Sequence, residues 1–205
     1  TRKLTRIIRK AGTLKGTICS MEENVAEILE KMKATKLRVD QVKQVSTKTP
    51  YPSPGRGRRV VLVDFGMKHG ILRELNKRDC DVIVVPYNTT AQEILNLSPD
   101  GIMLSNGPGD PKDVPQAIEM VREILGKVPL FGICLGHQIF ALACGANTEK
   151  MKFGHRGSNH PVKELATGKI AITSQNHGYS VDEASITQTD LEITHIALND
   201  GTVEG

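Results

Sequence analysis

The sequence predicts an α/β fold: a doubly wound, mainly parallel sheet with flanking helices, preceded by the tail of a smaller domain. Three observations carry that prediction. From residue 60 onward short β-branched runs alternate with helical stretches. The runs are apolar almost throughout, as strands covered on both faces are. Residues 46–59, STKTPYPSPGRGRR, break every regular pattern between the front of the chain and this alternation.

Element by element, residues 2–10 carry Leu4, Ile7 and Ile8 at helical spacing with Gly12 as the stop. Ser20-Met-Glu-Glu23 has capping-box spacing ahead of Val25, Ile28 and Leu29, so a second helix is expected to begin there. The prolines and glycines of 46–59 deny helix and sheet their backbone bonds. They set the expected organisation: 1–49 the C-terminal part of a first domain, 50–58 a linker, 59–205 the main domain. The alternation then runs VVLVD (60–64), a helix over 68–78, DVIVVP (81–86), a helix opened by Thr90-x-x-Glu93 and reaching Leu97, GIMLSN (101–106), a helix over 114–125, VPLFGI (128–133) and a helix over 135–143. Right-handed crossovers between such strands gather ligands at their carboxyl ends. Past Thr148 the segments read as shorter, more polar hairpins added to a sheet, and residues 200–205 as a strand entering the core. A chain whose first methionine is Met21 is expected to be a piece of something longer.

Composition narrows the function. With 39% apolar and 24% charged residues the 205-residue chain has material for a sizeable core, which excludes a disordered tail. No apolar run approaches the ~20 residues of a membrane span and no signal region follows Thr1, so no membrane partner is expected. Four scattered cysteines fit a reducing cytoplasm. Aromatics at 3% argue against a stacking platform for nucleic acid. Residues 1–59 carry a net +10 and the remainder −6. The front charges are interleaved with apolar residues, as on a solvated helix face, so no nucleic-acid partner is expected either.

The chemistry concentrates in Gly132-Ile-Cys134-Leu-Gly136, which has the spacing of a nucleophile elbow with Cys in place of Ser. Glycines on either side let strand and helix pack closely around a strained turn, and the helix N-terminus favours thiolate over thiol. Cys19, Cys80 and Cys144 lack such surroundings and are expected to be buried and inert. Ser105-Asn-Gly-Pro-Gly-Asp-Pro111 closes a strand that the topology sets beside that of Cys134, so its amides can meet a developing oxyanion. FGHRGSNH (153–160) and SQNHGY (174–179) hold three of the six histidines. His155 and His160 lack the spacing or carboxylate shell of a zinc site, so loop hydrogen bonding and no metal is the expectation. His69, His137 and His195 read as structural.

At these residues a resemblance enters. FGICLGHQ resembles the nucleophile motif of the class I, triad-type glutamine amidotransferases. LSNGPGDP (104–111), MKFGHRGSNHPVK (151–163), TSQNHGYSVD (173–182) and the opening TRKLTRIIRKAG resemble the carbamoyl-phosphate synthetase small-subunit family, over nearly the whole chain. The resemblance implies a glutaminase: Cys134 attacks the side-chain amide of L-glutamine, the Leu135 amide and the Gly107 loop hold the oxyanion, and a glutamyl thioester is hydrolysed after ammonia leaves. It further implies glutamine contacts at Gly107, Gly109, Leu135, Gln138, Asn176, Gly178 and Tyr179, the last standing where Phe is also found. The implied partner is a large synthetase subunit, which uses bicarbonate, ATP and a divalent metal to make carbamoyl phosphate for pyrimidine or arginine biosynthesis; no cofactor is implied in this chain. Two departures matter. The family's His-x-Glu pair occurs nowhere in this sequence, and a glutamine-contacting serine of the family's early N-terminal domain has no counterpart. The 205-residue polypeptide is therefore expected to be a poor glutaminase. The alternatives are the glutaminase component of another amidotransferase, such as that for GMP or anthranilate, and a non-catalytic binding or activating module.

Overall fold

A computed structural model describes residues 2–20 and 22–205. Three helices come first: α1 (Arg2–Ala11), α2 (Val25–Ala34) and α3 (Gln41–Val45). Gly12, at φ 88°, ends α1 as expected. The start of α2 differs from expectation. Ser20 and Glu23 do form a reciprocal turn, the Ser20 amide donating to the Glu23 carboxylate at 2.7 Å. The helix itself begins after Asn24, whose side chain accepts from the Ala26 amide. Asn is an equally good cap and lies closer to the apolar stripe; Met21, inside the Ser20 motif, lies outside the described residues.

The predicted linker is also not structureless. β1 (Tyr51–Ser53) pairs antiparallel with β3 (Asp81–Pro86), Tyr51 opposite Val84. It is an edge strand, where Pro52 can leave its missing N–H facing outward. Just before it, α3 sends Val42 into the main core, Ser46 Oγ accepts from the Tyr87 amide, and the Thr47 amide donates to Asp64 at 2.7 Å.

The alternation that follows matches the sequence reading closely: β2 (Arg59–Asp64), α4 (His69–Lys77), β3, α5 (Ala91–Asn96), β4 (Gly101–Leu104), α6 (Pro115–Ile124), β5 (Leu130–Gly132) and α7 (Leu135–Ala143). Thr90 and Glu93 form the full capping box of α5. The sheet order is β1-β3-β2-β4-β5, with β3, β2, β4 and β5 parallel. One face packs Val61, Val63, Ile102 and Leu104 against α5, α6 and α7; the other packs Leu62, Val82 and Val84 against Ile71, Leu72 and Leu75 of α4. Burial on both faces is why these strands carry so few polar residues. The chain steps from β2 outward to β3 and then across to β4, so the crevice at the carboxyl ends of β2 and β4 is a topological switch point.

Beyond α7 the expectation of shorter segments, as in hairpins added to a sheet, is corrected in length. β6 (Thr148–Glu164) and β7 (Ile170–Val181) are long antiparallel strands of a second, three-stranded sheet ordered β7-β6-β8, with β8 at His195–Ala197; α8 (Glu183–Ile186) lies between β7 and β8. Register shifts between Lys150 and His155 and between Gly157 and His160 interrupt β6. These bulges erase the alternation by which a long strand is recognised. Residues 200–205 do bring Val203 into the interior, through isolated bridges to Val181 and Ile196. Among the described residues no helix is long and apolar enough to cross a membrane.

Candidate active site

Cys134 stands between β5 and α7 at φ 53°, ψ −106°. That left-handed backbone is costly for a residue with a Cβ and persists only where surrounding packing fixes it. The packing is explicit. A Cβ on Gly132 would lie 2.5 Å from the carbonyl carbon of Gly136 and from the His137 amide nitrogen, and one on Gly136 would lie 2.7 Å from two carbons of Leu104. The strand and helix approach so closely that neither position admits a side chain. The Ile133 amide donates to the Leu104 carbonyl at 2.9 Å and the Gly136 amide to the Ser105 carbonyl at 3.1 Å, tying the turn to the end of β4.

The neighbouring loop is pinned as firmly. Ser105 Oγ accepts from the Phe65 amide at 2.9 Å and donates to the Asn106 carbonyl at 2.8 Å, while Asn106 Oδ1 accepts from the Lys68 amide. A Cβ on Gly107 would be 2.6 Å from the Leu135 side chain, which places that residue directly against the elbow. Among the described residues the Gly107 and Gly109 amides have no acceptor, and the Leu135 amide favours the Cys134 thiolate. Gly107 and the Leu135 amide thus both lie at the turn that carries the thiol.

One electrostatic expectation fails. Burial pushes the Cys134 thiol up from its ordinary value, and the Glu204 carboxylate adds to this; the Leu135 amide, Lys68 and Arg156 pull the other way without prevailing. The helix N-terminus alone does not outweigh desolvation at a site this enclosed. The other cysteines also depart from expectation: Cys19 is exposed in the irregular stretch before α2, and Cys80 and Cys144 are only partly buried.

An open cleft of about 1890 Å³ runs past the sulfur, lined by Gly107, Gly109, Gln138, Asn176, Gly178 and Tyr179 among others. Leu135 is the exception in the predicted set: its side chain is buried in the core behind the cleft and only its backbone faces the thiol. Gln138 is buried and donates from Nε2 to the Tyr179 carbonyl at 2.8 Å, joining α7 to β7. Burial raises the Tyr179 hydroxyl, and a hydrogen bond to Asp110 raises it further. Sequence reasoning missed Asp110, Lys68, Arg156 and Glu204 as neighbours of the site, because their approach depends on strand register and loop closure over long separations.

The histidines gather on the same wall. His155 and His177 face each other across β6 and β7, with His155 Nδ1 3.2 Å from His177 Nε2 and 3.1 Å from Glu204 Oε1. His155 Nε2 lies 2.8 Å from Asp200 and its ring lies tilted against that of His160, centroids 4.8 Å apart. His155, His177 and Glu204 are the group that is able to hold a metal ion among the described residues. His137 also lines the cleft, and burial lowers its affinity for a proton, so a neutral ring there is favoured.

Residues 61–205 match the family model for glutamine amidotransferase class-I. The chain belongs to that family. The carbamoyl phosphate synthase small chain of Bacillus cereus strain ATCC 14579 is 78% identical over the whole chain, and the pyrimidine-specific small chain of Bacillus subtilis strain 168 is 75% identical. The chain spans 56% of the length of each of these curated relatives. A solved structure from Thermoplasma acidophilum, of a protein assigned as one component of GMP synthase, is similar in fold, with a TM-score of 0.59 at 21% identity over 70% of this chain and 75% of that one. The predicted likeness to the small-chain family and the α/β amidotransferase fold both stand.

Proposed function

We propose that this chain supplies the nucleophile half of a glutamine-hydrolysing small subunit of carbamoyl-phosphate synthetase. The observation that carries the reading is the left-handed backbone at Cys134 on the wall of a cleft that Gly107 also lines, which supports the Leu135 and Gly107 amides as the oxyanion donors. In the proposed reaction the sulfur attacks the side-chain carbonyl carbon of L-glutamine. Negative charge collects on the carbonyl oxygen, where the two amides donate to it. The C–N bond then breaks as the nitrogen takes up the thiol's proton and leaves as ammonia. Water attacks the resulting thioester to give glutamate and restore the thiol. Gly109, Gln138, Asn176, Gly178 and Tyr179 line the space proposed for the rest of the substrate.

Because burial keeps Cys134 largely as thiol near neutrality, a base must accept its proton. The sequence holds no His-x-Glu pair, and the His177 ring is already engaged with His155 and Gln175. The 205-residue polypeptide is accordingly proposed to bind glutamine-like electrophiles yet turn over poorly. We assign it a cytoplasmic location and a large synthetase chain as the partner that receives ammonia and uses ATP and a divalent metal; the high identity to small chains supports this. The test is labelling by a glutamine-like chloroketone. One equivalent on Cys134, blocked by glutamine, is expected. Absence of protection by glutamine refutes the site, and steady ammonia release abolished by Cys134→Ser refutes the poor turnover.

A further inference from the structure

The cluster of His155, His177 and Glu204 has no part in the thioester chemistry above, and its geometry is that of a binding site. We propose that these three residues hold a divalent transition-metal ion of the zinc class on the wall of the cleft.

Orientation is the first argument. His177 Nδ1 lies 2.9 Å from the Tyr179 carbonyl, which only accepts, so that nitrogen carries the hydrogen. His155 Nε2 lies 2.8 Å from the Asp200 carboxylate, which fixes the hydrogen there. In the neutral rings both lone pairs, on His155 Nδ1 and His177 Nε2, then point at each other across 3.2 Å, with Glu204 beside them. The Gln175 amide is oriented by donation from its Nε2 to Thr173 Oγ1, which turns its oxygen inward, 2.7 Å and 2.8 Å from the two imidazole nitrogens. Four acceptors converge, with the Thr202 hydroxyl 3.3 Å from Glu204 Oε1 as the donor nearest them, an arrangement that a cation, metal ion or proton, completes. Histidines whose outer nitrogens are held by a carboxylate and a backbone carbonyl are the usual support of metal ligands.

Spacing is the second argument. Tetrahedral ligands at about 2.0–2.1 Å from zinc are separated by roughly 3.3 Å. The two imidazole nitrogens stand 3.2 Å apart, with Glu204 Oε1 3.1 Å from His155 and Glu204 Oε2 3.7 Å from His177; taken one atom per residue, the set lies within 4.8 Å. His155 is only 5% exposed, so the site is built into the fold rather than laid on its surface. Imidazole and carboxylate ligands in this geometry suit zinc, cobalt or nickel better than calcium or magnesium.

The chelator-treated 205-residue chain, titrated with Co²⁺ as a coloured substitute for Zn²⁺, tests this. One equivalent is expected to develop the visible bands of low-coordinate cobalt without a thiolate charge-transfer band, and Zn²⁺ is expected to displace it. Glu204→Gln and His155→Gln are expected to lose uptake, while Asp200→Asn, which removes only the outer support, weakens it by about 10- to 100-fold. Uptake equal in the wild type and Glu204→Gln, or a thiolate band, overturns the proposal. So does a wild type that takes up no cobalt while its His155 resonances titrate as a simple imidazolium, which identifies a proton as the cation. Should His155→Gln fail to fold, the Glu204→Gln comparison decides alone.

Discussion

Gly136→Ala probes the closeness of strand and helix on which the Cys134 turn rests. The added methyl would sit 2.7 Å from both the carbonyl carbon and the Cβ of Leu104, and closer still to the carbonyl oxygen. Leu104 is fully buried and its strand is paired on both sides, so β4 cannot yield. Ordinary carbon contact needs about 0.8–1.3 Å more, and α7 must retreat by that order of distance. The retreat stretches the 3.1 Å bond from the Gly136 amide to the Ser105 carbonyl and opens the turn at Cys134. Overpacking of this kind costs about 1–3 kcal/mol, and a displacement near 1 Å at a reacting centre costs about 10²-fold in rate. Urea unfolding and the second-order rate of Cys134 alkylation by the chloroketone measure the two effects, with Gly16→Ala, where nothing lies within 4 Å, as the control. A Gly136→Ala protein that unfolds at the wild-type midpoint and alkylates at the wild-type rate refutes the packing argument.

Because Cys134 lies above the ordinary thiol range, its alkylation rate by iodoacetamide is expected to climb with pH to a midpoint higher than that of a free thiol; Glu204→Gln moves the midpoint down and Lys68→Met moves it up. The sign for stability follows: a folded-state thiol held up in this way favours the native state below the unfolded thiol's range and stops doing so as pH rises through the folded value, so urea midpoints in alkali fall less for Cys134→Ser. Gln138→Ala removes the 2.8 Å bond to the Tyr179 carbonyl, which keeps its 2.9 Å contact with His177 Nδ1, and is expected to cost about 0.5–1.5 kcal/mol in urea unfolding. Thr90→Ala removes the cap of α5, with an expected loss of about 1 kcal/mol by the same measurement.

What could be read from the sequence was local. The parallel strands announce themselves because burial on both faces leaves β2, β3 and β4 as unbroken apolar runs, and the Thr90 box and the Gly132–Gly136 turn are complete within five residues. Two misreadings came from local signals that lost to neighbours: the Ser20 box forms a turn but yields the helix start to Asn24, and Pro52 is accommodated because β1 is an edge. The depressed thiol expected at Cys134 failed because enclosure is a tertiary property that no motif spells out. The meeting of His155, His177 and Glu204 was hidden for the same reason, since it requires two strands in one register and a chain return from residue 200.

That register has a consequence of its own. Lys150 lies opposite Tyr179 and His155 opposite His177, so five steps along β6 answer two along β7 and three residues are surplus. An unbulged hairpin counted from Lys150 would set Lys152 across from His177, delivering an ammonium where an imidazole now sits. Gly154, at φ 68° with its α-carbon pressed toward the His177 carbonyl, occupies the surplus. The identity of the ring beside His177 is thus written in the spacing of a kink, and a change that straightened β6 would exchange an imidazole for a basic tail without altering either residue's codon.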